Sequence, residues 1–289
     1  MAYQSVFRAR LFEGQTIIVT GGGSGIGRCT AHELASLGAH VVVTGRKAEK
    51  LGKTVAEIRE DGGSVSSLLF DIRDEEAVRQ AIGTVLAERG RIDGLVNNAG
   101  GQYPMPLAAI GKKGWDAVVA SNLTGGFLVA RETYTQWMQK NGGAIVNMIA
   151  DMWGGMPGMG HSGAARAGML NFTETAAIEW GVSGVRVNAV APGYVQSSGM
   201  DHYDPTFARD VIPVLAGQAP LKRLGEEAEV SSAIVWLLSE GAAFVSGTCI
   251  KIDGGASLGR SPAYPLLDHQ NSKPYRGFHR AVKPKAVGG

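Results

Sequence analysis

Cysteine is nearly absent: Cys29 and Cys249 are the only two in 289 residues. That excludes a disulfide framework, and no metal-ligand spacing accompanies them. Long apolar runs are missing too, since none approaches the ~18 residues that span a bilayer. The opening stretch Met1–Leu11 carries Arg8 and Arg10 but lacks the apolar segment of a secretory signal. Net charge is small, with 28 Lys+Arg against 26 Asp+Glu for a formal +2, which excludes a globally basic nucleic-acid binder. The expectation is a soluble, intracellular chain with no metal, no membrane segment and no nucleic-acid partner.

The apolar fraction of 44% is that of an ordinary core and excludes wholesale disorder. Glycine, at 42 residues, is about twice the usual ~7% and falls mainly after strand-like runs. Such runs are Thr16–Thr20, His40–Thr44, Ser64–Asp71, Ile92–Asn97, Ala144–Ile149, Val185–Val190 and Thr248–Asp253. Amphipathic stretches alternate with them at Gly25–Leu37, Lys47–Glu60, Glu75–Glu88, Trp115–Gln139, Ser162–Trp180 and Glu226–Leu238. Nearly continuous apolar strands imply burial on both faces, and strict β–α alternation implies right-handed parallel crossovers. The fold class is therefore α/β, a single doubly wound domain over residues 1–255 with a seven-stranded parallel sheet. Residues 194–224, with Pro205, Pro213 and Pro220, form a long excursion expected to act as a substrate lid. Residues 256–289 form a basic carboxy-terminal extension; from Arg260 onward six basic residues face Asp268 alone, a net +5 that leaves −3 for the rest. That extension suits the phosphates of coenzyme A or a neighbouring subunit, or has no fixed structure.

Thr20-Gly21-Gly22-Gly23-Ser24-Gly25-Ile26-Gly27 follows the first strand and opens the first helix. Glycines there let the backbone turn tightly and approach a pyrophosphate seated on the positive helix terminus. The second strand ends in Thr44-Gly45-Arg46-Lys47, with no acid to take a ribose 2′-hydroxyl. A carboxylate there would repel a 2′-phosphate, whereas Arg46 binds one with charge-assisted hydrogen bonds, so NADPH is expected over NADH. Asp71 either accepts from an adenine amino group or caps the helix beginning at Asp74–Glu76. Asn97-Asn98-Ala99-Gly100 ends the fourth strand with small residues that let a dinucleotide pass over the sheet edge.

Thr20–Gly27, Asn97–Gly100, Asn122 and Pro192-Gly193, in this order, resemble the short-chain dehydrogenase/reductase superfamily over residues 14–255. The resemblance implies a Rossmann-type domain, a homotetramer, and a cofactor site built from Gly21, Ser24, Gly25, Ile26, Gly27, Arg46, Lys47, Asp71, Ile72, Asn98, Ala99, Gly100, Arg166, Pro192, Gly193 and Val195. It also implies a catalytic Asn, a Ser, and a Tyr-x-x-x-Lys pair. Here Ser162-Gly163-Ala164-Ala165-Arg166 occupies the Tyr-x-x-x-Lys frame and Ile149 the Ser position, so of the four only Asn122 remains.

Serine cannot accept a proton near neutral pH without a base, and arginine is a donor only. Ser162 and Arg166 still share one helix face at i and i+4. That inventory suits hydride addition to a C=C bond conjugated with a thioester, where an enolate oxygen needs oriented donors and no phenol. The run His161–Gly168 is similar to that of the peroxisomal trans-2-enoyl-CoA reductases, as are Asn97–Gln102, Gly114-Trp115, Asn122–Gly125, Pro220–Gly225 and Leu267–Asn271. Related 2,4-dienoyl-CoA reductases carry an active-site Tyr where this chain has Asp151. The peroxisomal carboxy-terminal signal is absent, the chain ending Ala286-Val287-Gly288-Gly289, so the expected location is cytoplasmic. The expected catalytic set is Asn122, Ser162 and Arg166, acting on an acyl thioester. A reductase of another ketone or activated alkene, or an NADP-binding protein without turnover, stays open. Met148, Met152, Met156, Met159 and Met169 are either an acyl-chain wall or core filler. Tyr103, Tyr194 and Tyr203 are candidate loop donors, and His161 is a capping residue or a proton donor.

Overall fold

A computed structural model of the chain describes residues 2–197, 200, 210–258 and 266–284. Among the described residues, nine strands run in chain order as β1 (Thr16–Thr20), β2 (His40–Gly45), β3 (Ser64–Leu69), β4 (Gly94–Asn97), β5 (Gly143–Met148), β6 (Val185–Pro192), β7 (Val195–Gln196), β8 (Gly225–Glu226) and β9 (Cys249–Ile252). Seven of them form one sheet in the order β3-β2-β1-β4-β5-β6-β9, parallel at every pairing. The expected α/β class is what the structure contains. The strand order reverses between β1 and β4, so the crevice at their carboxyl ends is where such sheets hold ligands.

Both faces of the sheet are covered, which explains why its strands read as unbroken apolar runs. Ile17 and Val19 of β1 enter one core layer with Val41, Val43, Val96 and Val146. Helices α1 (Gly25–Ser36) and α9 (Glu227–Leu238) close that layer through Leu34, Val230, Ile234 and Leu237. Ile18, one residue out of phase, enters the opposite layer with Val42, Leu95 and Ile145. There α3 (Glu75–Arg89) supplies Val78, Ile82 and Val85. Helix α2 (Ala48–Glu60) flanks β2 and β3.

The expected helix Trp115–Gln139 is a longer rod. It comprises α4 (Lys112–Val119), α5 (Gly125–Thr133) and α6 (Gln139–Asn141), joined by the π turns Ala120–Thr124 and Tyr134–Met138. The first of these wide turns carries Asn122, the kind of helix defect that often marks a functional site. The rod packs on α7 (Gly160–Gly181), whose first two turns hold Ser162 and Arg166.

Two boundaries change earlier readings. Strand β3 stops at Leu69, so Asp71 lies in the bend beyond it, and the α3 cap is Asp74, whose carboxylate accepts from Ala77 N at 3.1 Å. Asp71 is thus not the cap. At the borders of 194–224, β7 pairs with β8, register Val195↔Gly225, which staples together the ends of the excursion, and α8 (Ile212–Gln218) lies between. Residues 198–199 and 201–209 of that excursion, Tyr203 among them, lie outside the described residues, as do 259–265 and 285–289 of the extension.

The described part of the extension lies on its own chain. Phe278 is buried with Tyr3, Cys29 and Ala228, beneath the Arg28 guanidinium at 4.9 Å. Tyr275 Oη donates to Gln4 O at 2.6 Å, Arg280 pairs with Asp61 at 2.7 Å and Arg276 with Glu226 at 3.1 Å. Two of its basic residues are therefore already matched by acids of this chain. Among the described residues, no helix is long and apolar enough to cross a membrane.

Glu227, in the first turn of α9, is 8% exposed. Burial raises its carboxyl to about 7 from 4.5, against the opposing pull of Arg28. Between those values the folded chain holds a proton that the unfolded chain has released, so stability falls as pH rises through this window. The Glu227→Gln variant is expected to lose up to about 3 kcal/mol of that decline and to exceed the wild type in stability at pH 8. Denaturant titrations at pH 5 and pH 8 check this; parallel changes in the two proteins would contradict it.

Candidate active site

The crevice between β1 and β4 is held open by close backbone approach. Thr20 Oγ1 accepts from Asn98 N and Ala99 N, each at 3.0 Å, and Asn98 Nδ2 donates to Thr20 O at 2.9 Å. Asn98 thereby binds the loop after β1 to the loop after β4. Gly21 has φ +67°, and a Cβ there would lie 2.9 Å from Asn98 Nδ2. A Cβ on Gly27 would lie 2.5 Å from Gly21 O and press on Asn98 as well. Side chains are thus shut out at Gly21 and Gly27, which leaves the amide groups and the helix terminus for an anion.

A cleft of about 340 Å³ follows this turn. Gly21, Ser24, Ala99 and Gly100 line its near end, and Arg46, Lys47, Lys50, Asp71, Ile72 and Arg73 its far end. The other expected cofactor residues take supporting positions. Gly25 opens α1, and Ile26 and Val195 pack against the apolar layer beneath. Pro192 ends β6, and Gly193 N donates to Ile252 O at 3.0 Å. Val195 is buried in that layer, whereas Ile26 is only partly covered by it.

Asn122, Ser162 and Arg166 meet at one loop, Gly100–Gln102. Asn122 Oδ1 accepts from Gly101 N at 2.8 Å, and Ser162 Oγ donates to Gln102 Oε1 at 2.6 Å. A Cβ on Gly100 would sit 2.5 Å from Asn122 Oδ1 and 3.0 Å from Arg166 Nη2. Arg166 is 8% exposed, and its Nη1 donates to Met148 O at 2.5 Å. Among the described residues no carboxylate pairs with it, and burial pulls its guanidinium down to about 10. Arg166 Nε and Asn122 Nδ2 are buried donors without an acceptor. Buried donors are ordinarily satisfied, so these two, with the glycine cradle, fit a ligand rich in acceptors such as a nicotinamide dinucleotide.

Other expected groups are divided. Tyr103 lies edge-on to the buried His161, ring centroids 4.7 Å apart, with its hydroxyl leaning on Gly114. Tyr194 faces a different cavity with Leu215, Pro220 and Leu221. Asp151 is half-buried and raised by burial and by Asp253, with Lys251 opposing. Lys251 in turn lies 3.9 Å over the Trp153 ring. Met148 and Met169 are core residues, whereas Met152, Met156 and Met159 are only partly buried on the loop before α7. Gln102 and Arg73 were not expected as site residues. Their neighbourhood depends on how loops fold back, which spacing along the chain does not reveal.

These features define a nucleotide-binding α/β oxidoreductase. A family model described as enoyl-(acyl carrier protein) reductase matches residues 21–257. The protein named "Probable 2,4-dienoyl-CoA reductase [(2E)-enoyl-CoA-producing]" of Bacillus subtilis (strain 168) is 38% identical over 257 residues, covering 86% of this chain and 99% of that one. The peroxisomal 2,4-dienoyl-CoA reductase [(3E)-enoyl-CoA-producing] of Danio rerio is 31% identical over 264 residues, covering 89% and 86%. Among solved structures, the citronellol catabolism dehydrogenase (AtuB) of Pseudomonas aeruginosa PAO1 superposes with a TM-score of 0.80 at 65% identity, covering 88% of this chain and 100% of that one. The chain belongs to the short-chain dehydrogenase/reductase family, whose members use nicotinamide cofactors.

Substituting Gly100 tests the convergence of the site. Gly100→Ala is expected to cut nicotinamide-dependent turnover about a hundredfold by displacing Asn122 and Arg166, with the melting midpoint moved only a few degrees. Wild-type turnover in a folded variant would contradict it.

Proposed function

We propose that this chain reduces the C=C bond of a trans-2-enoyl thioester with NADPH. The observation that carries the reading is the buried, acid-free guanidinium of Arg166 beside Ser162 and Asn122, where ketone chemistry needs a phenol and an ammonium group. When bound, NADPH supplies a hydride for the β-carbon of the substrate. Negative charge then gathers on the thioester carbonyl oxygen as an enolate, and the α-carbon takes a proton from water to complete the reduced product.

In this reading Gly21, Ser24, Gly25, Ile26 and Gly27 receive the pyrophosphate, largely through main-chain amides. Asn98, Ala99 and Gly100 form the floor under the cofactor, and Pro192, Gly193 and Val195 flank its nicotinamide end. Arg46 and Lys47 take the 2′-phosphate, while Asp71 and Ile72 border the adenine. Arg166 holds the nicotinamide ribose and adds positive charge beneath the developing enolate. Ser162 presents its hydroxyl by releasing Gln102, and Asn122 keeps the Gly100–Gln102 loop in place. Oriented donors of this kind are worth ~3–4 kcal/mol each to an oxyanion. The partly buried Met152, Met156 and Met159 supply a pliant wall for the acyl chain.

A second reading concerns the chain rather than the bond. The 65% identity to a protein named for citronellol catabolism favours a branched, acyclic terpenoid skeleton, which an enoyl thioester can carry. The full reading places the enzyme in the cytoplasm as a homotetramer. Apolar side chains left exposed on the rod, on α7 and just beyond its end, Phe127, Ile178 and Val182 among them, support association.

NADPH absorbance separates these possibilities. Turnover of crotonyl-CoA, longer trans-2-enoyl-CoA or branched enoyl-CoA substrates is expected, with acetoacetyl-CoA inert; the reverse pattern would overturn the reading. NADPH is expected to bind more tightly than NADH. Arg166→Ala should lower kcat/KM by about a thousandfold and weaken NADPH binding, with partial rescue by Arg166→Lys. A fully active Arg166→Ala enzyme removes Arg166 from the mechanism.

A further inference from the structure

At the adenosine end of the cleft, three charged side chains form a chain rather than independent contacts. Arg73 reaches back over two residues to grip Asp71 with Nε at 2.9 Å and Nη2 at 2.5 Å, and Arg73 N donates to the same carboxylate at 3.0 Å. Arg46 approaches the same carboxylate more loosely, its Nη1 3.8 Å from Asp71 Oδ2. All three line the cleft with Lys47 and Lys50. Asp71 is held below the usual carboxylate range chiefly by the Arg73 hydrogen bonds, with a smaller contribution from Arg46. It is therefore charged at neutral pH, at the end of the cleft where a 2′-phosphate would bring up to two more negative charges.

A bare carboxylate at this place would act against NADPH in two ways. It would repel the phosphate, and it would draw Arg46 into the forked pairing that arginine and carboxylate favour. Arg73 already occupies the carboxylate in that manner, on the loop side, leaving Arg46 at 3.8 Å and 65% exposed. The Arg46–Asp71–Arg73 group carries a net +1, to which Lys47 and Lys50 add.

We propose that Arg73 determines cofactor specificity indirectly, by occupying Asp71 so that Arg46 stays available to a 2′-phosphate. It is a positioning residue: it acts on Arg46 through Asp71. The inference rests on the NADPH reading above and extends it to a residue outside the second-strand motif.

Calorimetric dissociation constants for NADPH and NADH test it without any substrate. Wild type is expected to favour NADPH. Arg73→Ala should weaken NADPH about tenfold, the scale of one charge-assisted contact, and change NADH less than twofold. Adding Asp71→Asn to Arg73→Ala should restore most of the NADPH affinity, because no carboxylate then remains to capture Arg46. A wild type indifferent to the 2′-phosphate would contradict the cofactor reading itself. A wild-type preference for NADPH that persists unchanged in Arg73→Ala overturns only the role given to Arg73. So does a double variant as weak as the single one, since that marks direct contact with the phosphate, and so does an equal loss for NADH, since that marks a structural role.

Discussion

The architecture of the site depends on a cation kept out of water with no acid among the described residues to answer it. Arg166 is 8% exposed, donates to the Met148 carbonyl, and leaves its Nε without an acceptor. Desolvating a guanidinium costs several kcal/mol unless it is well paired, and the carbonyl dipole offsets only part of that. Such an arrangement stabilises whatever negative charge arrives beside it, and in the proposed reading that charge arrives during the reaction itself. A lysine in this place could lower the pKa of a phenol one turn earlier; here that position is Ser162.

The rest of the fold serves to place that charge. The parallel sheet sets the carboxyl ends of β1 and β4 side by side, and the Thr20–Asn98 hydrogen bonds lock their loops together. From there the Gly100–Gln102 loop reaches all three groups: the π turn through Asn122, and α7 through both Ser162 and Arg166. Because Gly100 admits no side chain, the same few ångströms couple the cofactor floor to the catalytic frame. In the proposed reading, cofactor position and oxyanion stabilisation are therefore a single geometric problem, and a shift in the loop is felt at both.

Much of this was legible in the sequence where local rules dominate. Thr16–Thr20 reads as a strand buried on both faces because the β-branched run Ile17-Ile18-Val19 has no polar break, and its ends are as expected. Ser162 and Arg166 could be placed on one helix face from their spacing alone. Asp71 was not resolvable, since a carboxylate just before a helix fits both a cap and a ligand contact; Asp74 is the cap. Gln102 and Arg73 were hidden for a related reason, their partners being set by loop geometry. The extension defied prediction most fully. Its anchors, Phe278 under Arg28 and Arg280 on Asp61, are contacts across more than two hundred residues with no periodicity to announce them.

The most direct test of the central claim is where the hydride lands. With NADPH deuterated at the transferred position and a trans-2-enoyl-CoA substrate, NMR of the product should place the deuterium on the β-carbon of a saturated thioester. Deuterium found instead on the carbinol carbon of a reduced ketone, with enoyl thioesters recovered unchanged, would show that the buried guanidinium does not serve enolate chemistry.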